Sequence, residues 1–264
     1  MNMNKLYILI FLAISICGYN IGDTISEQDL AETFSVCFGD SSTISFGNYK
    51  YNSVIWLNLS ASWWTSCYDN LLEGDEVYLD WKDSSHVQTF ISLDELGIPW
   101  SCNQWADNTF SGGLLNGDGT PVSPQIIEDG SSPEKVIWNW FEYSTGSSAY
   151  PKNIFIDSEM KIYDIIEVDM PSEDVNTIIN SMLAAATLGC TDATACNYDS
   201  NATLLDDSCK YTDDDSDGIC NEDDLCPSNY DPYNTDRDGD GLYDACQDDN
   251  DDDPNNNPAG ADCW

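Results

Sequence analysis

Three times in the C-terminal quarter of the chain aspartate recurs at every second position: Asp213-x-Asp215-x-Asp217-Gly218, Asp236-x-Asp238-x-Asp240-Gly241 and Asp249-x-Asp251-x-Asp253. Carboxylates spaced in this way converge on one side of a sharply turning chain, and the glycine at position six permits the turn. Calcium takes six to eight hard oxygens at about 2.3–2.6 Å, and a loop of this kind supplies them. The first loop adds the carbonyl of Ile219 at position seven, with Asn221, Glu222 or Asp224 to complete the shell. The second continues with Leu242 and Asp244. The third has Pro254 where the glycine belongs and is the poorest copy. Without a cation the segment repels itself. Residues 187–264 carry 22 Asp or Glu against Lys210 and Arg237, a net charge of −20. Nucleic acid and anionic membrane surfaces are poor partners for such a chain, and divalent cations are good ones. A disordered acidic tail is the bland alternative, but fixed aspartate spacing with interleaved cysteines argues against it.

Cysteine usage places the chain outside the cytoplasm. Met1–Cys17 reads as a signal peptide: Lys5 precedes the apolar run Leu6–Cys17, which is too short to span a bilayer as a helix. Cleavage is expected near Cys17–Asn20, with lipidation at Cys17 the lesser option because Ile16 stands where a small residue is wanted. Eleven cysteines are present, and setting Cys17 aside leaves an even number, suited to an oxidising compartment. A secreted, periplasmic or cell-surface location is expected, without a transmembrane segment and with cell-envelope or matrix contact open.

Composition divides the chain near Leu188. Residues 1–19 form the leader, 20–187 a globular domain, 188–211 a short cysteine-containing module and 212–264 the Asp-rich loops. In the globular part Val54–Leu59 reads as a buried strand, Tyr68–Trp81 as a helix and Val87–Leu93 as a second strand. Gly97–Thr120 lacks a clean period and reads as a long insertion. Pro124–Glu128 reads as a third strand and Glu134–Tyr143 as a helix. Lys152–Asp157 and Lys161–Val168 read as an antiparallel hairpin, and Ser172–Ala186 as a closing helix with Glu173 and Asp174 in its first turn. The pattern predicts an α/β domain with a mixed sheet flanked by helices.

Two segments carry a resemblance. Val54-Ile-Trp-Leu-Asn-Leu-Ser-Ala-Ser-Trp-Trp-Thr-Ser-Cys67 resembles the strand-to-helix turn of the thioredoxin superfamily, in its extracytoplasmic thiol–disulfide exchange and peroxiredoxin-related branch. Ala149-Tyr-Pro-Lys-Asn-Ile-Phe-Ile-Asp157 resembles the cis-proline strand that faces that turn. The resemblance implies a thioredoxin-like fold, a cis bond at Pro151, and protein thiols or peptides as substrates. It also exposes a departure. With Trp63 aligned to the family tryptophan, Trp64 occupies the position of the attacking cysteine, and Cys67 falls at the resolving position. A dithiol cycle within the motif is therefore unavailable. Two readings stay open. In one the domain is a thiol–disulfide oxidoreductase with a degenerate active site, in which Cys67 is the catalytic thiol and Trp63, Trp64 and Pro151 shape the site. In the other it is a redox-inactive binding or surface-display scaffold.

The domain holds Cys37, Cys67 and Cys102 and the tail seven cysteines, so either each part keeps one free thiol or a bridge joins them. Cys37–Cys102 is the preferred pair, leaving Cys67 reduced. His86 is the sole histidine, which excludes histidine metal clusters. Trp63, Trp64, Trp100, Trp105, Trp138 and Trp140 could line a hydrophobic groove, with core packing the expected fate of most of them.

The tail carries its own resemblances. Gly189-Cys-Thr-Asp-Ala-Thr-Ala-Cys-Asn-Tyr through Asp-Asp-Ser-Cys-Lys-Tyr211 is similar to a short module of exported microbial proteins. Leu225-Cys-Pro-Ser-Asn-Tyr-Asp231 followed by Asp236-Arg-Asp-Gly-Asp-Gly-Leu-Tyr-Asp-Ala-Cys246 resembles thrombospondin type 3 repeats. That family's pairing implies a Cys226–Cys246 disulfide and bound Ca2+.

Overall fold

The computed structural model describes residues 18–39, 41–63, 67, 71–94, 123–130, 135–142, 149–239 and 241–247. Cys17, Trp64, Trp100, Cys102, Trp105, Asp240, Asp249, Asp251, Asp253 and the Gly97–Thr120 segment lie outside them. The chain divides into two compact units, Met1–Ala184 and Ala185–Trp264.

The first unit is built on one mixed sheet. Its strands are β1 (Phe34–Phe38), β2 (Thr43–Ile44), β3 (Val54–Ala61), β4 (Val87–Asp94), β5 (Gln125–Glu128), β6 (Lys152–Ile156) and β7 (Ile162–Ile166), in the spatial order β2-β1-β5-β4-β3-β6-β7. Strands β3, β4 and β5 run parallel, whereas β6 is antiparallel to β3 and forms a hairpin with β7. The helices are α1 (Glu27–Leu30), α2 (Leu71–Trp81), α3 (Val136–Phe141) and α4 (Ser172–Ala185). This is the mixed sheet with flanking helices of a thioredoxin-like fold, as the hydrophobic pattern and the resemblance predict.

Alternation along β3 explains how one strand supports two cores. All eight of its residues are buried, and successive side chains point to opposite faces. Ile55, Leu57 and Leu59 join the cluster that contains Phe46, Phe90, Trp138, Trp140 and Phe141, while Val54 and Trp56 join Val77, Phe155, Val175, Ile179 and Met182 beneath α2 and α4. Polar contacts fix α2 against α4. Glu73 Oε2 accepts from the Ser172 N–H at 2.9 Å, and Trp81 Nε1 donates to Asn176 Oδ1 at 2.7 Å. Trp138 and Trp140 both sit in the core, as expected.

Four elements ahead of β3 were not anticipated: α1, β1, β2 and a 3-10 turn at Phe46–Tyr49. They are short, and β1 buries only Phe34 fully, so no apolar period announces it. Among the described residues no helix is long and apolar enough to cross a membrane.

The second unit has little regular structure beyond a two-stranded ladder of β8 (Leu188–Gly189) and β9 (Leu204–Leu205). Disulfides supply what a core does not: Cys190–Cys209, Cys196–Cys220 and Cys226–Cys246. The last is the pairing implied by the thrombospondin-type resemblance.

Candidate functional site

The turn that follows β3 holds the candidate thiol. Cys67 is a free cysteine, only 2% exposed. Its Sγ accepts from the Ala61 N–H at 3.4 Å. Burial, partly offset by the Ala61 N–H and the Ser60 hydroxyl and helped by a smaller effect of the Asp169 charge, pushes the thiol up to about 11. Desolvation penalises the thiolate more than those donors favour it. The nucleophilic form is then on the order of one part in ten thousand at pH 7. The cavity beside it, lined by Trp56, Asn58, Ser60, Met170 and Val175 among others, measures about 10 Å3, room for about one water molecule.

A buried polar chain runs along the same face. Trp56 Nε1 and Asn58 Nδ2 both donate to Asn153 Oδ1, at 3.1 and 2.9 Å, and Ser60 Oγ donates to Asn58 Oδ1 at 2.5 Å. Asn153 Nδ2 donates to the Val168 carbonyl at 2.9 Å. Asn58 and Asn153 are directly paired across β3 and β6, which explains why two amides tolerate burial. Cys67 thus lies beside a satisfied network, not at a mouth open to substrate.

Trp63, at the end of the described turn, is 40% exposed and stands edge-on to Tyr150, with ring centroids 6.1 Å apart. The Tyr150–Pro151 bond is cis, so the two segments that carry the thioredoxin resemblance do meet. Tyr150 is held from behind: its ring stacks on Trp138 at 4.1 Å, and its hydroxyl donates to Asp94 Oδ2. Lys135 Nζ lies 2.8 Å from the same Asp94 oxygen. Asp129 accepts from the Ile137 and Trp138 N–H groups, each at 2.7 Å. Burial raises its carboxyl to about 7 despite those bonds, with the Asp94 charge adding to the rise. Neither Asp94, Asp129 nor Asn153 stands out in the sequence. The nearest signal is an amide within each of two largely apolar strands.

Cys37 is in a disulfide, in keeping with the preferred pairing, although Cys102 lies outside the described residues.

In the second unit the acidic loops form as two copies, 23 positions apart. Asp213 accepts from the Ser216 and Gly218 N–H groups at 2.8 and 3.0 Å, and Asp236 accepts from those of Gly239 and Gly241 at 2.7 and 3.0 Å. The Asp214 N–H donates to Asn221 Oδ1 at 2.9 Å, as the Arg237 N–H donates to Asp244 Oδ1 at 3.0 Å. Gly218 and Gly241 have φ of +96° and +92°, the left-handed conformation that position six requires. The first loop brings carboxylate oxygens of Asp213, Asp215 and Asp217 within 4.8 Å of one another. The Ile219 N–H donates to Asp217 Oδ1 at 2.8 Å. Asp224, 7% exposed, lies near Asp215 but outside that convergent group. Its Oδ2, like Asp215 Oδ2, is buried with no hydrogen-bond partner, and its charge acts on Asp215. In the second loop Asp236, Asp238, Leu242 and Asp244 are described.

No family profile matches the chain, and no curated protein does. Solved structures do. A thioredoxin-family thiol:disulfide interchange protein from Chlorobium tepidum is 13% identical, with a TM-score of 0.44, over 63% of this chain and 98% of that one. A secreted thiol-disulfide isomerase from Corynebacterium glutamicum is 12% identical, with a TM-score of 0.44, over 62% and 93%. The exposed lipoprotein thioredoxin of Streptococcus pneumoniae is 19% identical, with a TM-score of 0.39, over 57% and 98%.

Proposed function

We propose that this is an exported protein in which a thioredoxin-like domain serves as a binding scaffold, carried with a C-terminal segment that binds calcium. The observation that carries the first half is the state of Cys67: a single, buried thiol whose pKa is raised to about 11. Thiol–disulfide exchange needs an exposed thiolate of lowered pKa, and Trp64 stands where the sequence would place it. The surface on offer is the Trp63–Tyr150 pair beside Pro151, suited to an extended peptide. The competing reading, a degenerate oxidoreductase using Cys67, requires that thiol to emerge and ionise. Insulin reduction in the presence of a thiol reductant separates the two. The scaffold reading predicts rates equal to those of Cys67→Ser and of reductant alone, whereas a Cys67-dependent rate above that background would reverse it.

For the second half, the donor set of the first loop fits calcium. Hard carboxylate oxygens of Asp213, Asp215 and Asp217 converge, and one oxygen each of Asp215 and Asp224 is buried without a hydrogen-bond donor. Burying an unpaired carboxylate is costly, and a bound cation removes that cost. Asp213, Asp215, Asp217, the Ile219 carbonyl and Asp224 would hold an ion in the first loop. Asp236, Asp238, Asp240, the Leu242 carbonyl and Asp244 would do so in the second, and Asp249, Asp251 and Asp253 more weakly in the third. The ion would screen the segment's negative charge and order the loops. Leader and disulfides are consistent with a secreted, periplasmic or cell-surface location.

A further inference from the structure

A second cavity in the first unit is walled largely by polar side chains. It lies where β1 ends and β4 and β5 begin, against the last turn of α2, and measures about 100 Å3. A water molecule needs on the order of 10–15 Å3 of such space, so there is room here for a molecule the size of one sugar ring. Two buried polar atoms on the wall have no hydrogen-bond partner: Ser123 Oγ, on a residue only 1% exposed, and Gln125 Oε1. Gln125 owes its place to the neighbouring strand. Phe38 pairs with Ile126 across β1 and β5, and a Cβ on the following Gly39 would lie 2.5 Å from Gln125 Cγ. Only a glycine leaves the amide that space. Burial raises the nearby Asp75 carboxyl to about 6, and the Ser123 hydroxyl offsets part of that rise, yet the two form no well-aligned hydrogen bond.

The rest of the wall narrows the chemistry. Thr89 adds a hydroxyl and Gln88 a second amide, while Tyr78 and Trp81 supply the apolar portion. Trp81 Nε1 already donates to Asn176, so the indole offers the cavity its carbon atoms. Among the described lining residues there is no carboxylate, and the one cation, Lys82, pairs with Asp83 at 3.3 Å. An anion would meet the charge of Asp75 within a chain of net charge −40, and a cation would find no charged ligand on the wall.

We propose that this cavity binds a neutral monosaccharide, whose hydroxyls pair with Ser123 and Gln125 while its carbon face lies against Tyr78 and Trp81. Buried polar atoms without partners are costly. Water would relieve only the polar half of the wall, whereas a ring that carries hydroxyls and an apolar face matches both halves. The cavity shares no lining residue with the one beside Cys67, so the proposal stands apart from the scaffold reading.

The test is saturation-transfer-difference NMR of the full chain with glucose, galactose, mannose and N-acetylglucosamine in turn. Glucuronate and glucosamine serve as anionic and cationic controls on the same ring. Transfer to at least one neutral sugar is expected, and weaker transfer to both charged ones. Gln125→Met, which keeps the side-chain length and removes the amide, should weaken binding about three- to tenfold, and Ser123→Ala should do the same. Because Gln125 Oε1 accepts no hydrogen bond within the protein, Gln125→Met should leave the urea midpoint of the free protein unchanged or raised. A lowered midpoint would assign the amide a structural role and overturn the proposal. So would the absence of transfer to all four neutral sugars, affinity unaffected by both variants, or preference for glucuronate or glucosamine.

Discussion

The ring of Trp63 meets the ring of Tyr150 edge-on, 6.1 Å between centroids, so the turn after β3 touches the residue that precedes the cis-proline Pro151. That contact joins the two segments that carry the thioredoxin resemblance. Here the surface is aromatic, and the thiol behind it is buried.

The pair Asn58 and Asn153 should govern stability more than its polarity suggests. Asn153→Ala removes the shared acceptor of Trp56 Nε1 and Asn58 Nδ2 and leaves two buried donors unmatched. A loss of roughly 2–4 kcal/mol is expected in urea unfolding. Ser60→Ala, which removes one donor at the end of the chain, should cost about 1 kcal/mol. Equal costs would mean that the network does not act as described.

Lys152 is a fully buried cation, 0% exposed, that ties β6 to α3. Its Nζ donates to the Phe141 carbonyl at 2.7 Å and pairs with Glu167 at 2.7 Å. Lys152→Met should destabilise the domain by roughly 3–5 kcal/mol, because a carboxylate is left behind without its partner. Lys152→Met combined with Glu167→Gln should recover part of that loss.

Stability of the thioredoxin-like domain should fall as pH rises from about 4 to about 7. Burial raises Asp129 to about 7 and Asp75 to about 6. The folded domain therefore keeps protons that the unfolded chain releases near its ordinary aspartate pKa of about 4, and linkage makes stability decline across that window. Asp129→Asn should flatten the decline in thermal unfolding curves followed by tryptophan fluorescence at constant, moderate salt. It should also lower stability at the acid end, since an amide offers only one acceptor for the Ile137 and Trp138 N–H groups. An unchanged slope would assign the pH dependence elsewhere.

Calcium removal should loosen the tail selectively. With EDTA, cleavage by a broad-specificity protease should concentrate within residues 212–247 and hydrodynamic size should increase, while the far-ultraviolet signal of the sheet persists. Asp224→Asn should raise the calcium concentration needed for protection. Protection independent of calcium would contradict the role given to these loops.

Much of this was legible in the residues themselves. Strand β3 opens on a nearly continuous apolar run, the β6–β7 hairpin is bounded by Ser158-Glu-Met160, and the aspartate spacing announces the loops at Gly218 and Gly241. Strands β1 and β2 were not, because they are short and mostly half-buried, and their pairing with β5 and each other is decided across the sheet. Cys67 could be placed at the turn, but its burial depends on Trp56 of β3, Val77 of α2 and Val175 of α4, which arrive from three separate elements. Asn58 and Asn153 lie 95 positions apart, and nothing local in either segment links them.

The central claim, that the surviving motif thiol is a core group and not a nucleophile, is tested most directly by the rate at which Cys67 reacts with a soluble disulfide reagent across pH 6–10, in native protein and in denaturant. Burial and a pKa near 11 predict negligible native labelling at pH 7 to 8, and rapid labelling of one further thiol once the domain unfolds. Fast native labelling of Cys67 with a midpoint below pH 8 would contradict the account.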